Sequence, residues 1–390
     1  MDSEHIPKSL PLLKIKASNN YDVGYQIGQR FKQAFSLMNE SPTGLTLKNF
    51  YNSENGKAIF DEYVTKTTEA FPDIVDEIRG MADGSEMSFD QLFLNSILSE
   101  VTLTTISKKE KEIAGCTDIL VNTDQCKLVG HNEDWDSHVS GHAFLIDVEV
   151  DKDERKIADD IDESNIRETL CKRDERFVGF VFPGELVGST FAMNKHFAFT
   201  INTLVPRRFN QGSVILFVLL RALLKCETIS ECVEVMKCEP YGCSYGININ
   251  VASLNTSDMW SIEVYPDQDK TVVDLLHIPK QAHDDDSLQY VHTNHYKHID
   301  DVDEMEGLEG SKAREDVASS VQTPSSIEDV RKVLGDRSSD VQPIYRLPTE
   351  TKNVLTAATA VFDLNEKTLV IYHGNPANED TPNTVVPFIQ

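Results

Sequence analysis

Ala114-Gly115-Cys116-Thr117-Asp118 is where the chain changes character. Upstream, apolar residues recur at helical spacing over Gly24 to Phe35 (GYQIGQRFKQAF), Ala58 to Met81 and Ser88 to Ile106, the last with Ser88 ahead of Asp90 and Gln91 in its first turn. Downstream the pattern is that of strands, at Asp118 to Val121, Lys127 to Gly130, Ala143 to Val150, Phe177 to Phe182, Ser189 to Met193 and Phe197 to Thr203. An amphipathic helix is expected from about Ser213 to Lys225 and another from Ile229 to Met236. Strands return at Ile247 to Ala252, Met259 to Val264 and Lys270 to Leu276, and a hairpin pairs Thr356 to Phe362 with Thr368 to Tyr372. Helices, then strands, then both again point to one α+β domain built on layered sheets.

A glycine before a cysteine at such a boundary has chemical content. Glycine leaves its own carbonyl sterically open and lets the backbone take strained φ values. The Cys116 thiol can attack that carbonyl, take the acyl group onto sulfur and, after hydrolysis, begin a new chain. A freed α-amine, with an ordinary pKa of about 7.7–8.0, would then serve the thiol as its base. Taken alone, Cys116 reads equally well as a small buried hydrophobe at a strand start.

The 390 residues are 40% apolar and 26% charged, enough for a large core and neither a disordered nor a membrane composition. Acidic residues outnumber basic ones 64 to 37, a net charge of -27. That field repels phosphate backbones, which argues against nucleic acid as a partner and favours a cationic small molecule or a basic protein. Met1 to Asn20 has no apolar signal-peptide region, and the longest apolar run, Val214 to Leu220, is too short to cross a bilayer. Seven irregularly spaced cysteines suit a reducing compartment, so a cytoplasmic location away from membranes is expected. The acidic segments 151–167 and 283–310 lack strong periodicity and read as solvated loops.

No cofactor is expected, because GxxxxGK[ST] and GxGxxG are absent, and no HExxH zinc motif occurs. His292, His295 and His298 are three apart, but a strand would put His292 and His295 on opposite faces, so no metal site is expected either. Cys232, Cys238 and Cys243 lack CxxC spacing and read as packed thiols.

Seven pieces in order carry a resemblance: GYQIG (Gly24 to Gly28), DEIRGMADG (Asp76 to Gly84), GCT (Gly115 to Thr117), GHNED (Gly130 to Asp134), FAFTINTL (Phe197 to Leu204), VHTNH (Val291 to His295) and VFDLNEKTLVIYHGNP (Val361 to Pro376). With them the chain resembles the N-terminal-nucleophile cysteine hydrolases related to acyl-CoA:6-aminopenicillanate acyltransferase, in particular the animal β-alanyl-dopamine/carcinine hydrolases. The resemblance implies a four-layer αββα fold and self-cleavage between Gly115 and Cys116, with Thr117 completing the processing site. Residues 1–115 would become an α subunit and 116–390 a β subunit, held together noncovalently. By the same resemblance Cys116 is the nucleophile, Asp134 an acid that orients the α-amine or assists processing, and Asn294 an oxyanion donor. The substrate it implies is an N-acylated, β-alanyl, biogenic amine, cleaved at its linear amide bond.

Taken singly, Asp134 reads as a turn carboxylate and Asn294 as a loop cap; taken together in family order, they read as catalytic. The serine that follows a proline in the acyltransferase, in the region of Pro343-Ile344-Tyr345-Arg346, is missing here, which favours water over another acyl acceptor. Two rivals remain: an N-acyltransferase drawing on acyl-CoA, with Arg207-Arg208 or Lys172-Arg173 as phosphate contacts, and a noncatalytic relative acting as a scaffold.

Overall fold

A computed structural model describes residues 10–105, 115–152, 165–267, 270–280, 289–339, 341–349, 353–379 and 381–390. Much of the first acidic segment and the start of the second lie outside the described residues, as does Ala114.

Two sheets stack between layers of helix. The larger has eight strands: β1 (Leu12–Ala17), β4 (Phe144–Val150), β5 (Glu175–Val181), β6 (Phe191–Asn194), β7 (Phe197–Thr203), β8 (Ile247–Ser253), β9 (Met259–Asp267) and β10 (Lys270–Ile278), in that spatial order. The smaller has six: β11 (Gln289–His292), β2 (Thr117–Asn122), β3 (Lys127–Asp136), β12 (Val354–Asp363), β13 (Thr368–Tyr372) and β14 (Thr384–Pro387). All neighbours are antiparallel except β1, which runs parallel to β4.

Side-chain alternation sorts the strand residues into separate cores. Leu120, Val129, Phe180, Phe191, Met193, Ala358, Ala360 and Phe362 fill the space between the two sheets. Their neighbours Ile119, Val121, Leu128 and Val361 point the other way, against α11 (Glu309–Ser320) and α12 (Ile327–Leu334) through Ala318, Val330 and Leu334. On the far face of the large sheet, Ile146, Val148, Phe177 and Val251 pack on the N-terminal helices and on α9 (Leu216–Leu223) and α10 (Ile229–Lys237). Helices thus cover the outer faces of two stacked sheets, a mixed α+β architecture compatible with a layered fold.

The N-terminal helices are α1 (Asn20–Glu40), α2 (Pro42–Tyr51), α3 (Gly56–Ala70), α4 (Pro72–Ser85), α5 (Phe89–Ser96) and α6 (Leu98–Thr105). The motifs GYQIG and DEIRGMADG turn out to be one contact. A Cβ on Gly24 would lie 1.9 Å from Glu77 O and one on Gly80 2.0 Å from Tyr21 O, so α1 and α4 touch backbone to backbone only because these positions carry no side chain.

Several expectations need correction. The helix read as Ala58 to Met81 is two, because Phe71 leaves helical dihedrals (φ -139°) and Pro72 starts α4. The one read as Ser88 to Ile106 also breaks, at Ile97 (φ -107°, ψ 22°). The helix read as amphipathic from Ser213 is shorter and buried on every side; its Arg221 is fully enclosed and pairs with Glu175 (2.6 Å) and Glu77 (2.8 Å). The acidic segments are not loops throughout: α8 (Ile166–Lys172) closes the first, and β11 lies in the second. Among the described residues no helix is long and apolar enough to cross a membrane.

Candidate active site

Cys116 immediately precedes β2, one strand in from the edge of the six-stranded sheet, between the edge strand β11 and β3. Register then places the neighbouring groups. Thr117 faces Asn132 and Asp118 faces His131 across β2–β3, while Asp134 faces Thr356 across β3–β12, beside a bulge at Thr356/Ala358. Cys116, Asp134 and Asn294 are all buried, with Asn294 against Gly115 and the Asp134 carboxyl acting on Cys116.

The group that ties this region together is Arg314 of α11, 1% exposed. Its Nη1 donates to Gly115 O (2.7 Å), Cys116 O (2.7 Å) and Thr117 Oγ1 (2.8 Å), and its Nη2 donates to Asn294 Oδ1 (2.7 Å). One guanidinium thus holds both carbonyls that flank the Gly115–Cys116 junction. Burial and the nearby Arg346 bring its pKa down to about 10, against the pull of Asp134. Asn294 donates from Nδ2 to Thr203 O (3.0 Å) and lies flat against Gly115, where an added Cβ would be 1.8 Å from its Oδ1. In this conformation the donor on the Gly115 carbonyl is Arg314, with Asn294 beside it.

Asp134 accepts from Thr356 Oγ1 (2.7 Å) and pairs with Arg346 Nε (3.0 Å). Burial pushes its carboxyl up, and Arg346 and Arg314 oppose that. Behind the thiol runs a buried line of polar groups. His131 Nδ1 meets Asp118 Oδ1 (2.7 Å), His131 Nε2 meets Glu133 Oε2 (3.1 Å), and Asn250 of the other sheet donates to Asp118 Oδ2 (2.8 Å). Burial opposes charge on His131, but Asp118 and Glu133 outweigh it and hold the ring up at about 10.

Burial, then the carboxylates of Glu133 and Asp134, push the Cys116 thiol well above its usual range. A thiol held that high is protonated and needs a base to react. Cys116, His131 and Glu133 each offer a ligand atom within 4.8 Å of the others, a set that could in principle take a metal. Both nitrogens of His131 are already engaged, however, so an ion would have to displace Asp118 or Glu133.

Cys116, Glu133 and Asp134 line a small pocket, about 40 Å³, together with Gly115, Trp135 and Glu185. Sequence reasoning missed Arg314, because α11 buries only Ser311, Arg314 and Ala318 and so has no apolar stripe to reveal it. It also gave Arg346, His131 and Glu133 no role, although the last two stood inside the GHNED motif. The histidine series is structural: His292 Nε2 meets Glu263 (2.9 Å) and His298 Nδ1 meets Asp274 (2.6 Å).

Comparison with known proteins gives a family for the chain. The chain is 26% identical to the beta-alanyl-dopamine/carcinine hydrolase of Drosophila melanogaster, an alignment covering 98% of this chain and 97% of the relative. A family model described as acyl-coenzyme A:6-aminopenicillanic acid acyl-transferase matches residues 121–378, a span that holds Asp134, Asn294, Arg314 and Arg346 and begins just after Cys116. With a match over well more than half its length, the chain belongs to the acyl-coenzyme A:6-aminopenicillanic acid acyl-transferase family.

Proposed function

We propose that this protein is a self-processing amide hydrolase whose nucleophile is the N-terminal Cys116 of its mature form, and that it releases amines from N-acylated, β-alanyl conjugates such as β-alanyl-dopamine or carcinine. The observation that carries the reading is the Gly115 carbonyl gripped by Arg314 next to a cysteine buried among carboxylates. A donor aimed at a carbonyl oxygen stabilises the negative charge that grows there under attack.

Processing follows in balanced steps. Cys116 Sγ loses its proton to a neighbouring carboxylate, with Glu133 within 4.8 Å, and bonds to the Gly115 carbonyl carbon. The oxyanion on Gly115 O is met by Arg314. Collapse breaks the C–N bond, the Cys116 nitrogen takes up a proton, and water hydrolyses the thioester to leave a Gly115 carboxylate and a free Cys116 α-amine. The products, 1–115 and 116–390, stay together through the α-layer core. In turnover the α-amine takes the thiol proton, sulfur attacks the substrate amide, and the α-ammonium protonates the departing amine. Water then frees the acyl group as its acid.

Transfer from acyl-CoA is the second reading, favoured by the family's name. Against it, two cations suggested for CoA phosphates are engaged by the protein's own acids: Arg207 by Asp303 (2.9 Å) and Arg173 by Glu231 (2.9 Å). The test is the denatured mass of wild type beside Cys116→Ala, followed by amine release from β-alanyl-dopamine. Cleavage after Gly115 and amine release in wild type only are expected. An uncut wild type that still hydrolyses the amide would sink the processing half of the proposal. Turnover that requires an amine acceptor would sink the hydrolase half.

A further inference from the structure

Among the described residues, one acid of the pocket is paired with no cation. Asp134 has Arg346, and Glu133 has His131. Glu185, 3% exposed, accepts from Ser189 Oγ (2.9 Å) on Oε2, while its Oε1 is buried with no hydrogen-bond partner. It lines the same pocket as Cys116.

The backbone holds it there. Glu185 sits in the turn between β5 and β6, its N–H donating to Phe182 O (3.2 Å). Gly184 and Gly188, with φ of +84° and +98°, bracket it in conformations that other residues adopt only under strain. The turn thus places Glu185 in the wall of the pocket that Phe182 and Trp135 also line, their rings stacked 5.4 Å apart. A buried carboxyl with an unmet oxygen costs stability, and such a group is retained where a ligand completes it.

We propose that Glu185 is the specificity residue of the pocket and binds the primary ammonium at the end of the substrate's acyl chain, the group that separates a β-alanyl amide from a plain alkanoyl one. The inference rests on the hydrolase reading above and adds to it the residue that selects the substrate. With the acyl carbon at Cys116, an ammonium two methylenes along stays within the pocket, where Glu185 offers the one carboxyl not already matched by a cation. Burial, reinforced by Glu133, pushes its carboxyl up to about 8, and a cation alongside is what makes its ionised form favourable. The carboxylates that act on Cys116 itself include Glu133 and Asp134.

The experiment compares β-alanyl-, propionyl- and succinyl-dopamine on the processed wild type and on Glu185→Gln. For wild type the expected order of kcat/KM is β-alanyl, propionyl, succinyl. In Glu185→Gln the ratio of β-alanyl to propionyl should fall roughly 10- to 100-fold, the worth of one charge-assisted hydrogen bond. Self-cleavage, read by mass, reports whether the variant folds. If it does not, the wild-type order still decides, and a preference for propionyl or succinyl overturns the proposal. If Glu185 served the Cys116 α-amine instead, the variant would slow both amides alike and leave the ratio unchanged, which also overturns it. Failure of wild type to cleave any of the three would bring down the hydrolase reading itself, and this inference with it.

Discussion

Replacing Arg314 by lysine keeps the charge and removes the fork. In the wild type two terminal nitrogens serve four acceptors at 2.7, 2.7, 2.8 and 2.7 Å, with burial nearly complete. A lysine has one nitrogen and three hydrogens, so at least one of these acceptors loses its donor. An unmet buried acceptor costs about 1–3 kcal/mol, which a chain of ordinary stability survives. The effect on chemistry should be larger. Loss of a donor aimed at a developing oxyanion slows acyl chemistry by about 100- to 1,000-fold. A chase after expression, quenched into acid and read as the fraction cut after Gly115, measures this directly, with thermal melting of the same samples as the control for folding. The expected result is a variant that melts a few degrees lower but accumulates as uncut precursor. Arg314→Met, which removes all four bonds, should combine uncut precursor with a larger loss of stability than the lysine variant, since each buried acceptor left unmet costs about 1–3 kcal/mol. A folded Arg314→Lys that cleaves at the wild-type rate would refute the role given to the guanidinium.

Two further outcomes follow from geometry elsewhere. Gly80→Ala puts a methyl about where Tyr21 O stands (2.0 Å), so α1 and α4 must part; a loss of about 1–3 kcal/mol or more is expected in a denaturant titration, and an unchanged midpoint would contradict the close contact. On α11, burial opposes charge on Glu315, but hydrogen bonds from His295 (2.8 Å) and Lys297 (2.7 Å) hold its carboxyl down at about 2. A lowered carboxyl stabilises the fold above its unfolded pKa, near 4.5, and loses that contribution as pH falls through about 2. The stability gap between wild type and Glu315→Gln should close as the pH is lowered from about 4.5 towards 2; a gap that ignores acidification would show that the lowered carboxyl contributes nothing.

What the sequence disclosed depended on periodicity. Strands of the large sheet and the β12–β13 hairpin carry alternating or continuous apolar residues and were legible to within a few positions. So was the change of layer at Cys116. The helix α11 was not, since its exposed face is polar and its buried face consists of Ser311, Arg314 and Ala318. Nor was β1, an edge strand with only Ile15 buried. Within the candidate site, Cys116, Asp134 and Asn294 were found through ordered motifs, while their spacing in the chain says nothing of their proximity. The arginines that join them come from elements with no pattern of their own. A buried arginine is set by three-dimensional demand for donors, and a one-dimensional reading has no term for that demand.

The size of the pocket links the two halves of the proposed reaction. A site for a small organic molecule usually offers some 300–1,000 Å³, and the cavity beside Cys116 has about 40 Å³. Part of its wall is Gly115 itself, held against Asn294 and under Arg314. On the proposed reading the uncut chain is its own first substrate: Gly115 occupies the acyl position, its carbonyl uses the donor, and no second acyl group can enter. Cutting the peptide bond turns Gly115 into a chain end free to withdraw. That one event supplies the α-amine base, releases Arg314 and Asn294 for another carbonyl, and makes room next to Glu185. Self-processing would then control access to the pocket as well as the chemistry of the nucleophile, since both depend on the same bond.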